Sequence, residues 1–322
     1  MTQVPCNYKG PNGERCDDNA EHDGLCYWHS SKTKTDSDLA ERLEKRARSG
    51  KAMVGFNLRR ANLSGIDLVN HGHSQGFKLQ HCDLYRCQLD RAHLFQLDLS
   101  SSSLMKANVS HSNLNRANLS HCNLLGVMLD GAKLDNVQWH DSVYQEQLAL
   151  RAKPGSDEQQ DFFEQAEEIY RNLRRTMESQ GLFENAGYFF KREMVVRRYQ
   201  LPRFSLKRIY SKIVDLFCGY GEEPMRVVAF SLVIIFSFAL LYFCAGVNDG
   251  DTLIKISPSA GLRHNLEQFL HMLYFSVVTF TTLGYGDLSP VGITRAFAAI
   301  EAFIGSFTLA LFVVVFVKKM TR

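Results

Sequence analysis

The 322-residue chain has little of what most function classes need. Its N-terminus is polar, with no long apolar stretch ahead of residue 227, so no secretory leader is expected and the first 200 residues are assigned to a reducing compartment. In that setting disulfides are not the expected use of the eight cysteines. Lys and Arg number 37 against 34 Asp and Glu, a net charge of +3 that speaks against nucleic acid as a partner. No nucleophile–base set, phosphate loop or open metal site appears, so an enzyme is not expected. No Arg-rich helix is present to respond to membrane potential, and no nucleotide or Ca²⁺ motif stands out.

Long apolar runs are also scarce, and the two that exist are informative. Val227–Gly246 is 20 residues without a charge, enough to cross about 30 Å of hydrocarbon. Arg295–Val317 is the second, interrupted only by Arg295 at its start and by Glu301. Between them Asn265–Phe280 is apolar and aromatic but too short to cross. It leads into Thr281-Thr282-Leu283-Gly284-Tyr285-Gly286-Asp287. A short apolar helix followed by irregular backbone reads as a re-entrant loop, because such backbone survives at membrane depth only inside protein. Gly284 and Gly286 can take φ > 0, so successive carbonyls can turn toward one axis and replace the water around a cation. A second Gly-Tyr-Gly, at 219–221, precedes Glu222-Glu223-Pro224 and follows no buried helix; it reads as a loop.

The order span, half-span, loop, span resembles a two-transmembrane potassium-channel subunit over roughly residues 203–322. The resemblance implies a homotetramer in a lipid bilayer, K⁺ as the transported ion, and Thr281–Asp287 as the selectivity filter. Thr282 would supply a hydroxyl and a carbonyl at the inner end, and Leu283 (where Val is commoner), Gly284 and Tyr285 carbonyls farther out. The Leu283 and Tyr285 side chains would wedge against the pore helix, and Asp287 would concentrate cations outside. Tyr274, 13 residues earlier, is placed to hydrogen-bond Asp287. Val278 stands where many relatives have an acid, which puts a carboxylate pair behind the filter in doubt. Gly305 matches the hinge glycine of the inner helix, though close helix packing explains it too. Glu301, one turn before it, is an intramembrane acid and so a functional-site suspect. Arg197, Arg198, Arg203, Lys207, Arg208 and Lys212 before the first span, with Lys318, Lys319 and Arg322 after the second, place both termini in the cytoplasm of a multi-pass cell-membrane protein. The connection at 247–264, balanced between Asp249, Asp251, Lys255 and Arg263, faces out.

A period of five dominates the N-terminal half. Leu or Val recurs from Leu79 through Leu84, Leu89 and onward to Leu134. Leu58, Leu63 and Leu68 run one residue out of phase, which locates an insertion at His71–Gln75. Two places before each lies a mostly small residue, such as Ala61, Cys82, Cys87, Ala107 or Cys122. This period fits neither helix nor strand and means stacked repeats. Arg60-Ala61-Asn62-Leu63-Ser64 and Arg116-Ala117-Asn118-Leu119-Ser120 resemble pentapeptide-repeat proteins. The resemblance implies a right-handed quadrilateral β-helix with the Leu and the small residue inward. Phe56 or Phe77 would suit an inward cap or a wider coil. Residues 56–141 hold eight basic and seven acidic residues, too neutral to imitate DNA. Their scattered histidines do not form a metal set.

Cys6, Cys16, Cys26 and His29 stand as C-x9-C-x9-C-x2-H, a closed Cys3His set suited to structural Zn²⁺, with His22 a substitute ligand. So short a segment with few aliphatics hardly folds without a staple; the other reading is a loose tail. The expected fold class is therefore a multidomain membrane protein. Its parts are a zinc segment (1–32), a polar linker with a helix through Asp38–Arg48 (33–52), the β-helix (53–141) and a cytoplasmic α-hairpin (142–202). An amphipathic interfacial helix (203–221) and the pore domain (222–322) complete it. The hairpin pairs Gln159–Ser179 with Asn185–Tyr199; the interfacial helix is either a cuff or a plain anchor. Three functions stay open: a K⁺-selective channel gated by a cytoplasmic ligand or protein on the repeats, a non-selective cation channel, and a membrane-tethered scaffold.

Overall fold

A leucine every fifth residue places four leucines in each 20-residue coil, and the backbone closes that coil. In the computed structural model, which describes residues 4–11, 13–250, 252–257 and 261–321, Lys78 bridges Asp98, Asp83 bridges Ser103 and Gln88 bridges Asn108, all parallel and 20 residues apart. Asp251 and Arg322, counted in the topology expectation, lie outside the described residues. The first coil is larger: Asn57 bridges Asp83 and Asn62 bridges Gln88, 26 residues apart. Six extra residues there produce the one-residue phase slip. Leu79 N–H donates to the Asp98 carbonyl at 2.7 Å and Leu84 N–H to Ser103 at 2.8 Å, so stacked coils satisfy one another's backbone.

Each corner falls two residues after the leucine, and its backbone is left-handed whatever its side chain: Arg86, Gln96, Lys106 and Arg116 all have φ between 54° and 59°. The Asn or Asp just before the leucine anchors that turn. Asn108 Oδ1 accepts from Ser110 N–H, and Asn118 Oδ1 from Ser120 N–H, both at 3.1 Å. The leucines and the small residues are buried inside the stack. Cys82, Cys87 and Cys122 lie among them, and burial pushes the Cys82 and Cys122 thiols up to about 12. They are packing groups and not nucleophiles.

Both ends of the stack are capped. Phe56 at the start stacks on Trp28 with ring centroids 5.1 Å apart, and helix α1 (Leu39–Arg48) buries Leu39, Leu43 and Ala47. Phe77 is only half-buried against the core. At the far end, Trp139 meets Phe189 edge-on at 5.4 Å. A helix missed in the sequence, α2 (Tyr144–Arg151), precedes α3 (Asp157–Ser179) and α4 (Phe183–Tyr199). Its Glu146 is buried between Tyr170, whose hydroxyl donates at 2.5 Å, and Arg192, which donates at 2.6 Å. The hairpin interface buries Phe163, Ile169 and Leu173 of α3 and Phe189, Val195 and Val196 of α4. Glu193 occupies a buried position there because Arg171 and Arg174 hold it, at 3.2 and 2.9 Å.

The second unit begins at Leu206. Helix α5 (Leu206–Cys218) turns Val214 and Phe217 toward α6 (Pro224–Ala245), with Phe217 edge-on to Phe230 at 4.5 Å. Leu206, Ile209, Tyr210, Ile213 and Leu216 stay exposed. A turn at Gly219–Gly221 connects α5 to α6. Strands β1 (Val247–Asp249), β2 (Thr252–Ile254) and β3 (Leu288–Pro290) form an antiparallel sheet in the order β2-β1-β3, which the short segments did not announce. Helices α7 (Leu262–Phe280) and α8 (Thr294–Met320) complete the unit. Helices α6 and α8 are each long and apolar enough to cross a membrane, with mean hydropathy 2.6 and 2.4. Lys318 near the end of α8 reaches Glu222 before α6 at 2.6 Å.

Candidate functional site

Helix α7 ends in a loop that its own last turn pegs in place. Thr281 N–H donates to Val277, Thr282 to Thr279 and Leu283 to Val278, each at 3.0 Å. From Thr282 the backbone alternates. Thr282, Gly284 and Gly286 have φ of +58°, +59° and +80°, whereas Leu283 and Tyr285 do not take positive φ. Such alternation sets successive N–H groups on one side and carbonyls on the other. Among the described residues, nothing donates to the carbonyls of Leu283, Gly284, Tyr285 or Gly286. Thr282 is the surprise: a β-branched residue in left-handed backbone is strained, and composition gives no sign of it. Its hydroxyl donates back to the Thr281 carbonyl at 2.7 Å.

The far end of the loop is tied as well. Asp287 accepts from Tyr274 Oη–H at 2.8 Å through Oδ2 and from Leu288 N–H at 3.0 Å through Oδ1. The loop is thus fixed at both ends with its middle carbonyls unclaimed. Leu283 and Tyr285 do not pack on their own chain; they are 58% and 68% exposed.

Gly305 and Glu301 of α8 meet α7 from the other side. A β-carbon at Gly305 would lie 1.9 Å from the carbonyl oxygen of Phe280, the last residue of α7. This approach alone demands glycine. Gly305→Ala is expected to push α8 off the end of α7 and destabilise this unit by about 3 kcal/mol, read as a lower melting transition of the detergent-solubilised chain. A glycine present only for bending would leave that transition in place. Glu301 is wholly buried, accepting from Tyr242 of α6 at 2.7 Å and lying within hydrogen-bond reach of Ser276 of α7.

At the other end of the chain, Cys6, Cys16, Cys26 and His29 converge, with their ligand atoms all within 4.8 Å of one another. Cys16 and Cys26 Sγ stand 3.7 Å apart, and Cys6 Sγ lies 3.6 Å from His29 Nδ1. A tetrahedral ion with metal–sulfur bonds of about 2.3 Å needs sulfurs about 3.8 Å apart, so the set is sized for one. The second nitrogen of His29 meets the Val54 carbonyl at 2.9 Å, which leaves Nδ1 free to ligate. Tyr8 stacks on the ring at 3.8 Å. Burial pushes the Cys16 thiol up to about 12 and lowers the His29 imidazole. His22 lies outside this group.

Comparison with known proteins divides the chain in the same way. Residues 228–322 match the ion channel family model, and residues 102–137 match pentapeptide repeats in eight copies. Protein LctB of Bacillus caldotenax is 33% identical over 79 residues, which cover 24% of this chain and 58% of that protein. Its namesake from Geobacillus stearothermophilus is 37% identical over 71 residues, covering 22% and 52%. The chain thus spans about half the length of the curated relatives it matches. Among solved structures, HetL, a pentapeptide repeat protein of Nostoc sp. strain PCC 7120, is 33% identical over 27% of this chain and 37% of its own, with a TM-score of 0.24. The chain carries an ion channel domain at its C-terminal end and pentapeptide repeats ahead of it, with two apolar helices fit to hold it in a membrane.

Proposed function

We propose that four copies of the chain assemble in the cell membrane as a K⁺-selective channel, with both termini cytoplasmic. The observation that carries this reading is the loop at Thr282–Gly286: alternating backbone, carbonyls without donors, and an apolar crossing helix on either side. Four such loops around one axis would stack rings of carbonyl oxygens at the spacing a dehydrated cation replaces its water with. One loop supplies a quarter of each ring, so the site is complete only in the tetramer. The exposed Leu283 and Tyr285 side chains would then pack on neighbouring subunits' pore helices. Tyr274 holds Asp287 at the outer mouth, and Gly305 lets α8 approach the base of the pore helix, where bending would open the pore.

The repeat domain forms a right-handed, four-sided β-helix that receives a cytoplasmic signal, and a structural Zn²⁺ on Cys6, Cys16, Cys26 and His29 fastens its first coil. Helix α5, with its apolar stripe open, lies in the membrane interface. The test is electrical. Lipid vesicles holding the purified full chain should show a reversal potential that follows the K⁺ gradient and ignores the Na⁺ gradient. Equal permeability to the two ions would leave a non-selective channel, and no flux at all would leave only a tethered scaffold.

A further inference from the structure

Ser276 sits between two oxygens and has one proton to give. Its Oγ lies 2.8 Å from the backbone carbonyl of Ile235 on α6 and within hydrogen-bond distance of Glu301 Oε1 on α8. Tyr242 Oη lies 2.7 Å from Glu301 Oε2. These three oxygen–oxygen contacts need three protons, because two oxygens so close without a shared proton repel each other. The serine and tyrosine hydroxyls supply two. A carbonyl supplies none, so the third belongs to the carboxyl.

We infer that Glu301 is held as a neutral carboxylic acid and acts as a positioning residue that ties the pore helix to both crossing helices. In this arrangement Glu301 donates to Ser276 Oγ, Ser276 donates to the Ile235 carbonyl, and Tyr242 donates back to Glu301 Oε2. The chain of bonds closes a ring through α8, α7 and α6. Burial agrees with the count. Glu301 has 0% of its surface exposed, and among the described residues no Lys, Arg or His forms an ion pair with it. A carboxylate there would carry an uncompensated charge inside a membrane domain. The ring meets α7 at Ser276, about one and a half turns before Thr281, and α8 at Glu301, one turn before Gly305, so it sets where the end of the pore helix stands relative to the inner helix.

The inference rests on the channel reading for its consequence and on the hydrogen count for its chemistry, and the two are tested separately. Infrared spectra of the full chain in lipid at neutral pH, recorded for the unaltered protein and for Glu301→Gln, isolate the carboxyl. A protonated-acid carbonyl band present in the first and missing in the second is the expected result. A difference made only of carboxylate bands overturns the inference, whatever the ion flux. Glu301→Gln keeps one donor toward Ser276 and one acceptor toward Tyr242, so K⁺ selectivity should survive within about twofold. Glu301→Ala opens the ring and leaves the buried Tyr242 hydroxyl without its acceptor, while Ser276 keeps only the Ile235 carbonyl, and selectivity over Na⁺ should fall about tenfold. A Gln variant as damaged as the Ala variant also overturns the inference. Absence of K⁺ flux in the unaltered protein would remove the channel reading while the infrared band still decided the proton.

Discussion

Gly284→Ala is expected to cut K⁺ flux at least about a hundredfold without unfolding the chain. At φ +59° an alanine is forced into left-handed backbone, which costs about 1–2 kcal/mol per residue. Among the described residues, no atom beyond its two chain neighbours lies within 4 Å of the added β-carbon, so a single subunit tolerates the change. The penalty is collective: four strained copies face one axis, and relieving the strain by turning Gly284 to negative φ swings its peptide carbonyl out of the ring. Flux through reconstituted vesicles should fall at least about a hundredfold, the effect of roughly 3 kcal/mol at the barrier. Gly221→Ala is the matched control, with a φ of +81° and nearly open space around it. It carries the same local penalty and should leave permeation intact. Equal loss in the two variants would mean that general destabilisation, and not the loop, closes the pathway.

That control also shows how far the sequence could be read. Gly-Tyr-Gly occurs twice with identical residues and two different backbones. At 219–221 all three residues have positive φ, +55°, +57° and +81°, and Tyr220 is fixed by a contact of 2.7 Å with Ser211 Oγ. At 284–286 the tyrosine does not take positive φ. Only context separates them: Glu222-Glu223-Pro224 on one side, a pegged helix end on the other. The repeat was legible because its period has a single packing solution, and the phase slip at His71–Gln75 reappears as the six added residues of the first coil. Helix α2 was not legible, since eight residues carry too little periodicity to stand out from the polar stretch around them. The three short strands fail for the same reason: three residues each cannot display alternation. The partners of Glu301 lie 25 and 59 residues away in the chain, on other helices, and no local pattern announces them. The left-handed backbone at Thr282 is local, closed by Thr282 N–H to Thr279 and Leu283 N–H to Val278 at the end of α7, but a position of this kind usually takes glycine, so a threonine there gives no sign of it.

Removing the metal should have the other large effect, at the opposite end of the molecule. Among the described residues up to 32, the buried apolar side chains are only Cys6, Cys26 and Trp28, and structural zinc sites contribute about 10 kcal/mol or more to such segments. Without an ion, three thiols and an imidazole gathered within 4.8 Å have only weak mutual hydrogen bonds to hold them. Trp28 rides on this cluster, since Cys26 lies two residues before it and His29 directly after it, and its ring covers Phe56 at the open end of the repeat stack. Loss of the ion therefore uncovers Phe56 and Arg46, which packs over both rings. Full chain purified without chelators should hold one zinc per subunit. A strong chelator, or Cys26→Ser, should release it, shift Trp28 emission to the red, and open the chain to proteases ahead of Met53. Trp139→Phe leaves Trp28 as the sole tryptophan and makes the emission readable. Exposing Phe56 costs the first coil about 2 kcal/mol, so in the chain that keeps Trp139 the stack should fray from that end first while the cap at Trp139 and Phe189 holds. His22→Ala should change none of this. A chain with no bound metal and a Trp28 signal indifferent to chelation would show that packing against Phe56, without an ion, is what orders the segment.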